Sequence, residues 1–448
     1  MKVESTYSDI WRISWPIMLS SLANTVINFT DVAFVSRVGE KQLAASALGG
    51  VFYFILVMIG IAVGIGSQIL IARKAGEDNH NAIGKVFDHS ILIMLSMGVV
   101  MLLLLYGLMP GLMHLIVNDR QVADYCIEYL NARGWGLFFM LILIALRSFY
   151  TGIAMTRIIT YTTVVMMVLN VILNYFLTLG HGGIPAMGIF GTGLASAISE
   201  TVAAIYAIAY TILRPSLKVF GLFRFKQMKK AIASEIISLS APIVLQHFLS
   251  MGAWFIFFVL IEKLGSRSLA VSNVVRSIYM VLMTPIWGFS QSCNSMVSNL
   301  IGQKKENELM SFVGKIVSLS FITGVVATIF WVIFPDFLFG LTTPDPTLTA
   351  DAMGSFYVIC FATIIFSVAM ILLSAVSGTG NTRIAMLIEV FNIAVYLIYI
   401  FLGTMYFHTS VEIVWGAEII YWFLMGALSL WYLKSNRWKN MPELLPVN

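Results

Sequence analysis

Asp31 sits in an otherwise apolar stretch, and counting back at helical intervals reaches Asn28 and Asn24. Three polar side chains therefore share one face of a helix expected over 13–35. Asn170 and Asn174 are four apart and share a face of a helix over 158–179, while Thr192 comes five residues into one over 187–213. If the first two helices cross a membrane in the same sense, Asp31 rises ~27 Å and Asn174 ~24 Å from a common side. Thr192, on a helix of the opposite sense, arrives at that level. A lone carboxylate among amides and hydroxyls suits two chemistries. It can carry a proton, or it can hold a hard cation such as sodium, with Asp31, Asn170, Asn174 and Thr192 as ligands. Asn28 is expected beside them. The plainer alternative is an aspartate that only knits helices together, a task neutral groups perform at lower desolvation cost.

The remaining charges within apolar stretches are candidates by the same logic, because each is expensive there. Glu200 lies thirteen residues into 187–213, with no partner evident. The second half carries His247, Arg276, Glu389 and Glu418, and with Asn24 and Trp254 these are the candidate lining of a substrate cavity. Arg276 and Glu418 each lie seven residues into their helices, at matching depths of ~10 Å, and are expected either to pair or to contact substrate. His247 reads more simply as a hydrogen-bonded packing residue than as a proton shuttle.

The elements that must position these groups are membrane helices. Of 448 residues, 59% are hydrophobic and 11% charged, against about 25% charged in an ordinary soluble domain. Twelve apolar runs are long enough to span a bilayer: 13–35, 43–71, 90–109, 125–146, 158–179, 187–213, 236–261, 269–301, 316–339, 356–376, 384–407 and 411–433. With the N-terminus in the cytoplasm, twenty lysines and arginines fall on the inner side and six on the outer, Arg276 being left within the membrane. That bias predicts cytoplasmic termini and a multi-pass protein of the cell inner (plasma) membrane. The first run is too long for a cleaved signal core and should remain as an anchor. The net charge of +5 is then an orientation signal and implies no nucleic acid. Cys126, Cys293 and Cys360 are scattered and read as buried small hydrophobes.

The chain is also duplicated. Pro16, Gly39, Leu43, Ala44 and Gly76 return 226 positions later as Pro242, Gly265, Leu269, Ala270 and Gly302, and Gly152–Arg157 returns as Gly378–Arg383. Six spans per repeat give parallel lobes related by an axis along the membrane normal. The expected division is 1–213 for the N-terminal lobe, 214–230 for a basic cytoplasmic linker and 231–448 for the C-terminal lobe. The linker has six cations and no acid, and alternates them with Leu and Phe as a helix lying on an anionic leaflet would; a solvated tether is the alternative. At offset 226, Asn24, Asn28 and Asp31 become Ser250, Trp254 and Phe257, while Asn170 and Asn174 become Tyr396 and Ile400. The second half is thus expected to offer aromatic surface in place of an ion site. No nucleotide-binding cassette, HExxH, GxSxG or His/Cys cluster is present, so any transport must draw on an ion gradient and no cofactor is expected.

Together these features resemble the multidrug and toxic compound extrusion (MATE) family of bacterial type. The resemblance rests on the six-plus-six spans, the basic linker, the openings Trp15–Leu19 and Ala241–Leu245, the Asp31 to Gly39 spacing and the paired GxxxTR turns. It implies two six-helix bundles in a V around a central cavity, and antiport of organic, often cationic, compounds against sodium or protons by alternating access. Asp31 matches the family's helix-one acid, and Asn170 and Thr192 match its polar partners. Asn174 stands where one branch has Asp, and Val368 where another has Asp. The partners implied are the bilayer and a small organic substrate, with the protein acting as a monomer. A lipid-linked oligosaccharide flippase of the same superfamily is the alternative, although Arg276 is the only clear cation for a pyrophosphate. An intramembrane enzyme would need a nucleophile or metal set that the sequence lacks.

Overall fold

The computed structural model describes residues 2–226, 228–340, 342 and 345–440. Residue 1 of the expected first lobe, residue 227 of the expected linker and residues 341, 343, 344 and 441–448 of the expected second lobe lie outside them. Among the described residues, twelve helices are long and apolar enough to cross a membrane: α1 (Tyr7–Val35), α2 (Glu40–Gly76), α3 (His80–Ile116), α4 (Arg120–Gly152), α5 (Arg157–Thr178), α6 (Gly188–Leu213), α7 (Lys230–Glu262), α8 (Ser266–Gly302), α9 (Glu306–Ile333), α10 (Pro346–Gly378), α11 (Thr382–Tyr406) and α12 (Val411–Lys434). There is no strand among the described residues. Most helices run further than the apolar stretches that announce them, because polar first and last turns carry the caps. α9 is the exception. It stops at Ile333 rather than 339, since Pro335 disfavours helical geometry at Phe334 (φ −119°, ψ 54°).

The duplication is written in the backbone. Left-handed residues recur 226 positions apart: Asp78 and Lys304, Ala154 and Gly380, Gly182 and His408. So do the caps. Asp119 and Asp345 accept the first amide hydrogens of α4 and α10. Each meets a cation 226 apart in sequence, Lys41 at 2.9 Å and Arg267 at 3.7 Å. The Lys41 hydrogen bond holds the Asp119 carboxyl below its ordinary range, and the Thr347 hydroxyl does the same for Asp345. Packing repeats too. In the first half α4 lies between α2 and α6; in the second, α10 lies between α8 and α12.

By spatial contacts the described chain forms two units. One is Leu19–Ser240, and the other comprises Lys2–Met18 and the chain from Ala241. α1 and α7 are therefore each divided. Ser14 bonds Ser292 at 2.6 Å in the second unit, and Val3 N–H donates to Asn299 there. Six residues on, Ser20 bonds Thr163 at 3.1 Å in the first.

After α6 the chain forms a 3-10 turn, Pro215–Phe220, with Leu217 and Phe220 buried, which is neither the amphipathic α-helix nor the fully solvated tether that the sequence left open. Gly84 of α3 admits this segment, since a Cβ there would lie 1.9 Å from the Phe220 carbonyl oxygen. Asp88 then accepts the backbone N–H groups of Phe223, Arg224 and Phe225 at 2.7–3.0 Å, and Lys229 N–H donates to His89 Nε2. The segment is thus held through its backbone N–H groups.

The turn at Ala154 yields a test. The first repeat keeps a Cβ at φ 58° where the second has Gly380 at φ 96°, and a left-handed non-glycine residue costs about 1 kcal/mol. Ala154→Gly should raise the unfolding midpoint of the detergent-solubilised protein. A lowered midpoint would mean that the alanine methyl contributes more by packing than its conformation costs.

Candidate functional site

Two helical strips at four-residue spacing build the first site. α5 presents Asn170, Asn174 and Thr178, and α6 presents Thr192, Ser196 and Glu200. The last turn of α5 widens into a π-helix over Asn174–Thr178, a distortion common where side chains must converge. Asn174 Nδ2 donates to Asp31 Oδ1 at 2.7 Å, and Ser196 Oγ donates to Asp31 Oδ2 at 3.1 Å. Asn170 Nδ2 donates to Ser196 Oγ at 3.1 Å. Behind Asn174, Thr178 Oγ1 donates to Asn174 Oδ1 and bonds Thr192 Oγ1, both at 2.9 Å. Thr192 thus reaches the aspartate through Thr178 and Asn174, not directly.

Asn170 and Asn174 are fully buried, whereas Asp31 is half-buried. Asn28 is exposed and makes no hydrogen bond to Asp31 among the described residues. The reason is angular: Ile27 takes the buried position one turn before Asp31, which turns Asn28 away. Thr178 and Ser196 were not singled out from the sequence, although each continues a strip at the next interval of four.

Glu200 has a partner. Arg133 Nη1 lies 2.9 Å from Glu200 Oε1, with side-chain exposures of 13% and 6%. The Arg133 guanidinium stacks 4.0 Å from the Tyr53 ring centroid, and Tyr53 OH donates to Glu200 Oε2 at 3.3 Å. Gly136 makes room, because a Cβ there would sit 2.6 Å from Glu200 Oε2 and 2.8 Å from Ala197. Arg133 also lies within electrostatic reach of Asp31. The positive-inside count takes Arg133 as one of the outer six although it lies within the stretch 125–146, and helix α4, beginning at Arg120, carries it further inward. Measured from the helix starts, Tyr53, Arg133 and Glu200 are 13, 13 and 12 residues in (53 − 40, 133 − 120, 200 − 188). The depth match was present in the sequence, hidden by a span drawn five residues short.

In the second unit Glu418 is 2% exposed. Tyr396 OH donates to its Oε1 at 3.0 Å, while Tyr279 OH and Trp422 Nε1 donate to its Oε2 at 3.1 and 3.0 Å. Glu389, 4% exposed, accepts from Ser250 Oγ at 2.5 Å and from Tyr421 OH. The expected Arg276–Glu418 pair does not form. Neutral donors already saturate the carboxylate, and Arg276 is exposed with its guanidinium 5.4 Å from the Phe258 ring centroid. Trp254 is half-buried and meets Phe258 edge-on, and His247 buries an Nδ1 that has no hydrogen-bond partner among the described residues. Asn24 lines a separate cavity of the first unit, with Met140, Tyr150, Ile159, Thr163 and Met166.

The Arg133–Glu200 pair predicts an asymmetry. Glu200→Leu alone leaves a buried guanidinium without its partner, costing about 3–5 kcal/mol, whereas the double replacement Arg133→Met/Glu200→Leu should recover most of that loss. Thermal unfolding in detergent measures both. Equal midpoints for the single and double variants would show that the two groups are energetically independent.

With this geometry established, comparison with known proteins gives a consistent result. The MatE family profile matches residues 16–176 and 242–405. A probable multidrug resistance protein NorM of Rhizobium meliloti is 29% identical over 58% of this chain and 56% of its own length. The namesake of Photorhabdus laumondii is 25% identical over 83% of this chain and 81% of its own length. That of Thermotoga maritima is 22% identical over 99% and 95%. The match thus spans just over half the length of the Rhizobium relative and nearly all of the Thermotoga one. Among solved structures, a MATE in complex with MaL6 superposes with a TM-score of 0.90 at 18% identity, covering 97% of both chains. An outward-facing multidrug resistance MATE transporter of the MOP superfamily superposes at 0.89 with the same identity and coverage. The fold is that of these transporters, and since the family profile covers both repeats, the chain belongs to the MatE family of membrane transporters rather than to any class of enzyme.

Proposed function

We propose that this protein is a secondary antiporter that exports organic, cationic or amphiphilic compounds in exchange for protons, with Asp31 as the exchanging group. The observation that carries this reading is the contrast between two acids in one helical unit. Glu200 is neutralised in place by Arg133. Asp31 is held by neutral donors from Asn174 and Ser196. With Arg133, Glu200 and Asp31 all ionised the trio carries one net negative charge, and a single proton on Asp31 removes it.

Proton chemistry fits the donor set better than sodium does. A hard cation asks for several oxygens aimed at one point. Around Asp31 the contacting atoms of Asn174 and Ser196 are donors. The amide oxygens of Asn170 and Asn174 are engaged by Asn174 Nδ2 and by Thr178. Such a shell stabilises an ionised carboxylate. It accommodates the acid when the Ser196 hydroxyl rotates to accept. On protonation Asp31 gives up its claim on the Asn174 amide, freeing α5 to move relative to α1. Substrate release would follow from that rearrangement, the proton and substrate favouring different conformations of an alternating-access cycle.

The organisation proposed for this cycle is that of two six-helix lobes, 1–213 and 231–448, joined by the basic linker 214–230, in a monomer of the inner (plasma) membrane with both termini cytoplasmic. The aromatic groups of the second lobe, Trp254, Phe258 and Tyr421 among them, supply flat surfaces of the kind that attract organic cations. The family relationship and the name borne by the relatives support a drug-like substrate class.

Asp31→Asn keeps the shape of the side chain and removes its charge. In proteoliposomes with separately imposed pH and sodium gradients, the wild type should drive ethidium against its gradient with the pH gradient alone. Asp31→Asn should lose that export while remaining folded. Wild-type rates in Asp31→Asn, or export driven only by sodium, would refute the proposal.

A further inference from the structure

We propose that the second lobe carries a proton site of its own, centred on Glu418 and built at the same repeat positions as the Asp31 site. This deepens the proton-exchange reading above and rests on it.

The repeat offset of 226 maps part of the first site, together with Tyr53 of the Glu200 cluster, onto the second, while Asn174 falls on Ile400. Asn170 falls on Tyr396, Thr192 on Glu418, Ser196 on Trp422 and Tyr53 on Tyr279. The mapped residues converge. Tyr396, Tyr279 and Trp422 all donate to the Glu418 carboxylate at 3.0–3.1 Å. In the first lobe the carboxylate comes from α1, and α5 and α6 supply donors. In the second it comes from α12, and the position of Asp31 is taken by Phe257, which is 1% exposed and stacks on Tyr396 with ring centroids 6.0 Å apart. The acid has moved from one side of a hydrogen-bonded cluster to the other, and the cluster has kept its place. That displacement is why substitution of Asp31 by Phe257 makes the second half look empty of charge chemistry.

What the second lobe lacks is the internal counter-charge. The positions of Arg133 and Glu200 are Ile359 and Gly426. No lysine, arginine or histidine lies within 4.0 Å of Glu418 among the described residues. The titratable groups facing it are Tyr279, Tyr396 and, more distantly, Tyr421, which links it to Glu389. Arg276 is turned onto Phe258. An intramembrane carboxylate surrounded only by neutral groups is costly to keep ionised, and uptake of a small cation relieves that cost. The contacting atoms select a proton. The indole N–H of Trp422 donates only and cannot ligate a metal ion, whereas a tyrosine hydroxyl can turn from donor to acceptor as the acid takes up its proton.

The test counts protons. Purified protein in detergent is given an acid jump in weak buffer, and a pH indicator reads the protons taken up per molecule. Glu418→Gln should take up one fewer than wild type, and Glu418→Asp should restore the number. Asp31→Asn should also take up one fewer, and the Asp31→Asn/Glu418→Gln double variant two fewer. Trp422→Phe removes a donor that favours the ionised form, so its uptake should begin at higher pH than in wild type. In proteoliposomes clamped at zero potential, ethidium accumulation by Glu418→Gln should fall from about a hundredfold to about tenfold per unit of pH gradient. A wild-type proton count in Glu418→Gln, or an unmoved uptake curve in Trp422→Phe, overturns the second site. A wild-type count in Asp31→Asn instead overturns the role of Asp31 and leaves the Glu418 result standing.

Discussion

The cost of holding a carboxylate partly or wholly out of water governs the arrangement of this protein. An isolated ionised acid in a low-dielectric interior is penalised by several kcal/mol even after relaxation, so every such group must be compensated locally. Three acids show three solutions. Glu200 takes a guanidinium at 2.9 Å. Asp31 takes an amide and a hydroxyl, themselves braced by Asn170 and Thr178. Glu418 takes two phenols and an indole. Only the first solution removes the charge without a mobile ion. In the proton-exchange reading proposed above, the other two stabilise the charge while leaving it exchangeable.

Duplication supplies the scaffold on which those solutions diverge. The turns and caps have been held constant across the two repeats, down to left-handed residues at matched positions and a capping aspartate with a neighbouring cation. These features set helix length and register, and a change in either would displace every intramembrane side chain at once. The side chains facing the cluster have been free to change, provided that the hydrogen-bonding account closes. Tyr53 and Tyr279 keep the same residue type but serve acids at different positions, Glu200 and Glu418. Conservation of frame and exchange of chemistry is the pattern expected when one half of a duplicated bundle acquires a separate task.

The membrane class, twelve spans and six-plus-six repeat were legible in the sequence because hydropathy and a constant offset are local, additive signals. The Asp31–Asn174 contact was legible because depth along a helix follows from residue count. What failed did so for identifiable reasons. Arg133 was hidden because polar residues precede the apolar core of α4, so its span was drawn from 125 and the match with Glu200 and Tyr53 was missed. The Arg276–Glu418 pair followed from depth alone, which fixes height but not facing; Tyr279 and Trp422 reached the acid first. Thr178 and Ser196 lay at the next step of two strips already recognised and required only that the interval of four be continued.

Vibrational spectroscopy tests the central claim most directly, since it reports the protonation of Asp31 without any transported compound. An infrared difference spectrum taken across an acid jump should contain protonated-carboxyl intensity of which one component is lost in Asp31→Asn, the Glu418 component remaining, and which is unchanged in Glu200→Gln. A spectrum in which Asp31→Asn removes nothing, or in which Glu200→Gln removes a component, would contradict the assignment of Asp31 as the exchangeable acid and Glu200 as the neutralised one.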